Sequence, residues 1–171
     1  THTMFIDKVK FYKSNIYVFG TTNHFDLATS GAFQTEKIVS NYKGNYVPFI
    51  AKFTKDGEKI WLTYFGSSAN TEYAKEIDTD NNGNIYIGFT AYGYNFATPG
   101  AYQYQKKEAG DILIAKLSPE GKRLWATYYG GRGADDLNSL VVDKEEQTLY
   151  IGGITNSDDI IHTSNAIISS Y

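Results

Sequence analysis

Carboxylates are the first place to look for chemistry in this chain. The run Asp78 Thr79 Asp80 Asn81 Asn82 Gly83 sets oxygen-bearing side chains at Asp78, Asp80 and Asn82, ahead of a glycine. That is the first half of a calcium loop, where alternate residues supply ligands and the glycine makes the sharp turn. The bidentate acid that would close such a loop falls at Phe89, and no helical pattern flanks the run. A plain turn is therefore the favoured reading, with calcium at Asp78, Asp80 and Asn82 as the alternative. The acid pairs Asp135–Asp136 and Asp158–Asp159 are chain neighbours, whose side chains would point apart on a strand. Glycosidase carboxylates face each other across a sugar ring from separate elements, so neither pair reads as catalytic. His2, His24 and His162 hold unrelated positions, cysteine is absent, and no Gly-x-Ser-x-Gly elbow occurs. No catalytic residue is assigned, and no cofactor is expected beyond the calcium alternative.

Recognition chemistry is better represented. Tyr92, Tyr94, Phe96, Tyr102 and Tyr104 share one long segment, and Arg132, Asp135 and Asp136 lie in the next long connection. Aromatic faces flanked by carboxylate and guanidinium suit a sugar ring or a peptide side chain. The competing reading is burial: the same rings would cover strand ends and pack between neighbouring units. The expected binding set is Tyr92, Tyr94, Phe96, Tyr102, Arg132, Asp135 and Asp136.

Repetition must position these residues. The stretch Phe49–Gly66 returns 64 residues later as Leu113–Gly130. Shorter echoes link Asn15–Thr21, Asn84–Thr90 and Thr148–Thr155, and link Thr29–Phe33, Thr98–Tyr102 and Thr163–Ile167. A long fixed period means one supersecondary unit stacked on copies of itself. In the clearest copy, strands are expected at Ala74–Asp78, Ile85–Thr90, Ile112–Leu117 and Leu124–Tyr129. Turns at Asp80–Asn84 and Pro119–Lys122 join them, their Asn-Gly and acid-Gly pairs supplying left-handed backbone.

A repeated four-stranded antiparallel unit is a β-propeller blade. The expected fold is all-β, with blades at 5–65 and 73–129 and a partial blade at 137–171, whose two inner strands span 137–155. Propellers close with about four to eight blades, so about two and a half leave the ring incomplete. The remainder of the chain or other copies would complete it. Alternating strand direction places all the long loops on one face and the tight turns on the other. Trp61 and Trp125 are expected to fill space between blades, and open blade edges to promote self-association.

Composition narrows the partners. Lys and Arg total 16 against 19 for Asp and Glu, a net charge of −3. Without clustered cations, nucleic acid is not an expected partner. Aromatic residues at 16% with only 3 Pro favour sheet. No apolar run approaches the roughly 18 residues of a membrane-spanning helix, so no membrane insertion is expected. The chain opens at Thr1 without an export-signal pattern and reads as a piece of a longer or processed protein.

Three segments carry a family resemblance: Asp80 to Gly88, Thr98 to Gln103 and Asp111 to Gly131. Their order of Gly-Asn turn, Tyr-rich strand, Thr-Pro-Gly-Ala-Tyr-Gln loop and Trp-Ala-Thr-Tyr strand resembles the bacterial SBBP β-propeller repeats. The family's Gly-Asp-Asp element survives as Gly133 Ala134 Asp135 Asp136, and in the first blade has become Ser68 Ala69 Asn70 Thr71 Glu72. The departure in the first blade weakens a residue-level role there. The resemblance implies a propeller in a secreted or surface-exposed bacterial protein and no defined catalytic activity. The expected function is a non-catalytic scaffold presenting loops to protein or glycan. Alternatives are a propeller hydrolase or lyase acting on polysaccharide, and a structural subunit of an external filament or secretion machine.

Overall fold

A computed structural model describes residues 2–38, 46–67 and 72–160. His162, the phrase 163–167, residues 68–71 and the tail 161–171 of the partial blade lie outside the described residues. Among those described, ten strands are joined by turns and loops, with no helix. The first sheet is β1(Met4–Tyr12), β2(Asn15–Thr22), β3(Val47–Thr54) and β4(Lys59–Tyr64), paired antiparallel in that order. The second is β5(Ala74–Thr79), β6(Ile85–Ala91), β7(Asp111–Leu117) and β8(Arg123–Tyr129), built the same way. A pair, β9(Asp135–Val142) and β10(Leu149–Thr155), follows. The four strands bounded from the sequence are β5 to β8, to within a residue at each end. No ring closes.

The strand β6 is apolar nearly throughout because both of its faces are covered. Ile85, Ile87, Phe89 and Ala91 pack against Tyr17, Phe19, Ile50 and Phe65 of the first sheet. On the other face, Tyr86 joins Ile112 and Ile114 against Leu137, Leu140 and Val142 of β9. The inner strands lie side by side, β1 next to β5 and β5 next to β9. Ion pairs run along this inner row: Lys8–Glu76 at 2.7 Å, Lys10–Asp78 at 2.7 Å and Lys75–Asp136 at 3.0 Å.

The two interfaces exchange bulk at matching positions. Phe19 and Gly88 are equivalent in the β2 and β6 echo, and Ala74 and Leu137 each precede the bulge of their inner strand. The first interface thus carries Phe19 with Ala74, large with small. The second carries Gly88 with Leu137, small with large. A Cβ on Gly88 would stand 2.3 Å from Leu137 Cδ2, so the glycine is what lets that leucine in.

Trp61 sits between blades as the sequence suggested. Its indole Nε1–H donates to the Pro119 carbonyl at 3.1 Å, and Lys52 Nζ reaches the same oxygen at 3.1 Å. Gly121, at φ +80°, lies flat against the indole, where a Cβ would come 3.0 Å from Cδ2. Trp125, its repeat copy, is half-buried and meets Tyr86 edge-on at 6.0 Å.

The expectation of open sheet edges needs correction at the outer strands β4 and β8. Each long loop folds back along the outer strand of its own sheet and uses the edge. Thr29 N–H donates to Leu62 O and Tyr64 N–H to Gln34 O; Thr98 N–H donates to Ala126 O and Tyr128 N–H to Gln103 O. What stays open on the first sheet is a face. Ile6, Val9 and Phe11 are 61%, 61% and 63% exposed, whereas Ala74, Ile77 and Thr79, which match them in register, are 5%, 7% and 0% exposed. At the far end Val141 and Tyr150 are exposed, and β10 has β9 alone as partner among the described strands.

Candidate functional site

Buried carboxylates set the loop face. Glu72, just before β5, accepts Ser67 N–H at 2.9 Å, Ser67 Oγ–H at 2.9 Å and Gly93 N–H at 3.1 Å. Asp135, at the start of β9, accepts Gly131 N–H at 2.8 Å and Ser157 Oγ–H at 2.9 Å. Each acid ties the end of one outer strand to the start of the following long loop. Burial pushes the Glu72 carboxyl above its ordinary range, and its hydrogen bonds only partly offset this. Asp135 was expected to face a ligand. It is 1% exposed, and its Oδ2 is spent on loop fixing, so little of it faces the cleft it lines. Glu72 takes the same part in the first blade, across a connection one residue longer.

Beside these caps a cleft of about 220 Å³ opens between the second sheet and β9. Tyr73, Lys75, Thr90, Tyr92, Gly110, Ala134, Asp135 and Asp136 line it. Lys75 Nζ meets Asp136 Oδ2 at 3.0 Å, and the Thr90 hydroxyl donates to Asp136 Oδ1. Burial raises the Asp136 pKa, but donors from Thr90 and Lys75 outweigh it and hold the carboxyl below its ordinary range. The floor is therefore a fixed ion pair. Tyr73 and Tyr92 stand at the mouth, 52% and 43% exposed. Gly110 gives Tyr92 its seat, since a Cβ there would come 2.9 Å from Tyr92 Cε1.

Of the expected set, Tyr92, Asp135 and Asp136 meet in this cleft, Asp135 almost wholly buried. Tyr94 and Tyr104 line a separate cavity of about 300 Å³ with Lys106, whose Nζ lies 4.7 Å over the Tyr94 ring. Tyr102 lines a third, of about 350 Å³, beside Trp125. Arg132 is exposed and pairs with Asp158 and Asp159, each at 3.3 Å. Phe96 is another correction. It is 6% exposed, stacks on Phe65 at 5.9 Å and meets Phe89 and Tyr128 edge-on. Its aromatic surface seals the core between sheets. Sequence reading missed Tyr73, Lys75 and Thr90, although the first two adjoin or begin an expected strand.

The match to a known family falls on this region. Residues 60–97 match the family model described as SBBP: Beta-propeller repeat. The chain carries an SBBP beta-propeller repeat. The matched stretch runs from the outer strand of the first sheet through β5 and β6 into the long loop that holds Tyr92. No curated protein matches the chain.

Within the SBBP repeat, the acidic turn at Asp78–Gly83 engages protein donors. Asp78 meets Lys10 Nζ at 2.7 Å and accepts Val142 N–H at 2.9 Å and Thr79 N–H at 2.8 Å. Asp80 accepts Asn82 N–H, Asn84 N–H and Asn84 Nδ2–H, at 2.9, 2.9 and 2.8 Å, and pairs with Lys116 at 3.2 Å. Burial raises both carboxyls, yet these donors hold them below their ordinary range. Asp80 organises its own turn in the manner of an Asx turn. Among the described residues no three acid or histidine side chains gather as a metal set.

Proposed function

We propose that this segment is part of a non-catalytic, secreted or surface-exposed β-propeller scaffold that binds a glycan at its long-loop face. The observation carrying this reading is the cleft walled by Tyr73 and Tyr92 over the Lys75–Asp136 ion pair. Two exposed rings supply apolar faces for a sugar, while a fixed cation, a carboxylate and a hydroxyl offer donors and acceptors to its oxygens. Its volume of about 220 Å³ suits one ring of a longer chain. Asp136, the more exposed carboxylate of the cleft, is engaged in an ion pair, and Asp135 is buried, which favours binding over hydrolysis. The extracellular setting rests on the family resemblance. A neighbouring blade, from elsewhere in the same polypeptide or from another copy, covers Ile6, Val9 and Phe11.

The test is a screen of the chain against immobilised neutral and acidic polysaccharides. Tyr92→Ala and Tyr73→Ala are then measured on whatever binds. Each substitution is expected to weaken binding about tenfold with little change in Tm, since a lost stacking contact is of order 1.4 kcal/mol. Undiminished binding in both variants contradicts the site, and shortening of the polysaccharide on incubation contradicts the non-catalytic reading.

A further inference from the structure

We propose that Asp111 and Asp135 together hold a hard divalent cation, calcium, inside the junction between the second sheet and β9. Both residues are sealed from solvent, at 0% and 1% exposure. Each satisfies one carboxylate oxygen: Asp111 Oδ2 accepts Gln103 Nε2–H at 2.7 Å and Lys107 N–H at 3.2 Å, while Asp135 Oδ2 accepts Gly131 N–H and Ser157 Oγ–H. The other oxygen of each, Oδ1, is buried with no hydrogen-bond partner among the described residues. Buried polar atoms are nearly always partnered, and a buried charge demands a counter-charge. Here two such orphans occur at one junction.

The two carboxyl groups flank Gly130. A Cβ on that residue would stand 2.6 Å from Asp135 Oδ2 and 2.8 Å from Asp111 Cγ, so only a glycine permits the approach. Neighbouring Lys106 does not supply the counter-charge by contact. Its ammonium donates to the carbonyl oxygens of Lys107, Glu108 and Ala109. A divalent ion cancels both carboxylates at once and gives each Oδ1 a ligand bond. Calcium accepts an irregular set of oxygens, with backbone carbonyls and water completing its shell.

The sister junction acts as an internal comparison. Val47 holds the place of Asp111, each pairing with the last residue of the preceding strand (Thr22 and Ala91). Glu72, in the place of Asp135, has donors on both oxygens. The first junction therefore has one fully bonded acid and the second has two half-bonded ones. The site belongs to the second junction and is distinct from the turn at Asp78–Gly83.

The experiment measures Tm in EDTA and in excess calcium for the whole chain, and terbium luminescence sensitised by Tyr129, which neighbours Asp135. Calcium at about a hundred times its Kd is expected to raise Tm by about 5 °C or more, and terbium emission is expected to be displaced by calcium. Asp111→Asn should remove both responses, as should Asp111→Val, which copies the sister junction. Because calcium response is read within each variant, a lower baseline Tm does not obscure it. A wild-type Tm indifferent to calcium, with no terbium emission, overturns the proposal. So does a response that survives both Asp111 variants, or one abolished by Asp80→Asn instead.

Discussion

Adding one methyl group at Gly88 probes whether neighbouring sheets pack as complementary blades. In Gly88→Ala the new Cβ lands 2.3 Å from Leu137 Cδ2 and 3.2 Å from Leu140 Cδ1, and both leucines are buried. Overpacking of this kind costs about 1–3 kcal/mol. Leu137→Ala alone opens a cavity at the same interface and costs about 2–5 kcal/mol. In the double variant the alanine at 137 makes room for the methyl at 88, and the pair moves towards the large-with-small arrangement of Phe19 and Ala74. The cycle should therefore show favourable coupling of about 1–2 kcal/mol. Urea denaturation of the wild type, both single variants and the double variant measures it. For a chain of this length each kcal/mol also moves Tm by about 2–4 °C. Strict additivity, or a neutral Gly88→Ala, would refute the interdigitated interface.

Other consequences follow from the same contacts. Trp61→Phe loses the indole hydrogen bond to Pro119 and should cost about 1–2 kcal/mol, while Trp125→Phe should cost less than half of that; equal losses in urea melts would contradict the unequal environments. Asp78, Asp80 and Asp136 titrate lower folded than unfolded, so their stabilisation is present above the ordinary carboxylate value of about 3.9 and is lost as pH falls through the lowered values. Tm should fall on strong acidification, with a shallower fall in Asp80→Asn. Glu72 has the opposite sign. Its raised pKa contributes stability that is complete below the unfolded value and is lost as pH rises through the folded one. Glu72→Gln should remove that part of the slope, and an unchanged profile would argue that the carboxyl is not buried.

Strand placement was legible because β6 and β7 repeat the apolar alternation of β2 and β3, and because Asn-Gly and acid-Gly turns punctuate them. The Asp80 turn and the inter-blade Trp61 were readable for the same local reasons. The loop face was harder. Tyr92, Tyr94 and Phe96 follow one another at alternate positions, yet the first lines the cleft, the second covers Lys106 and the third enters the core. An irregular loop has no period from which to assign inward and outward sides. Asp135 and Asp136 look alike in sequence, but the bulge and cap at the start of β9 bury one and present the other. Glu72 was discounted along with the departure from Gly-Asp-Asp, yet its longer side chain compensates an extra residue in the connection and takes the role of Asp135. The covered outer edges depended on loops folding back onto β4 and β8, which no pairwise echo reveals.

Solution NOESY spectra offer the most direct check that consecutive sheets lie face to face around shared inner strands. Cross-peaks are expected between Gly88 Hα and a Leu137 methyl, and between the Trp61 indole N–H and the Pro119–Gly121 turn. A spectrum with the within-sheet contacts of β5 to β8 but neither of these inter-sheet contacts would contradict the account.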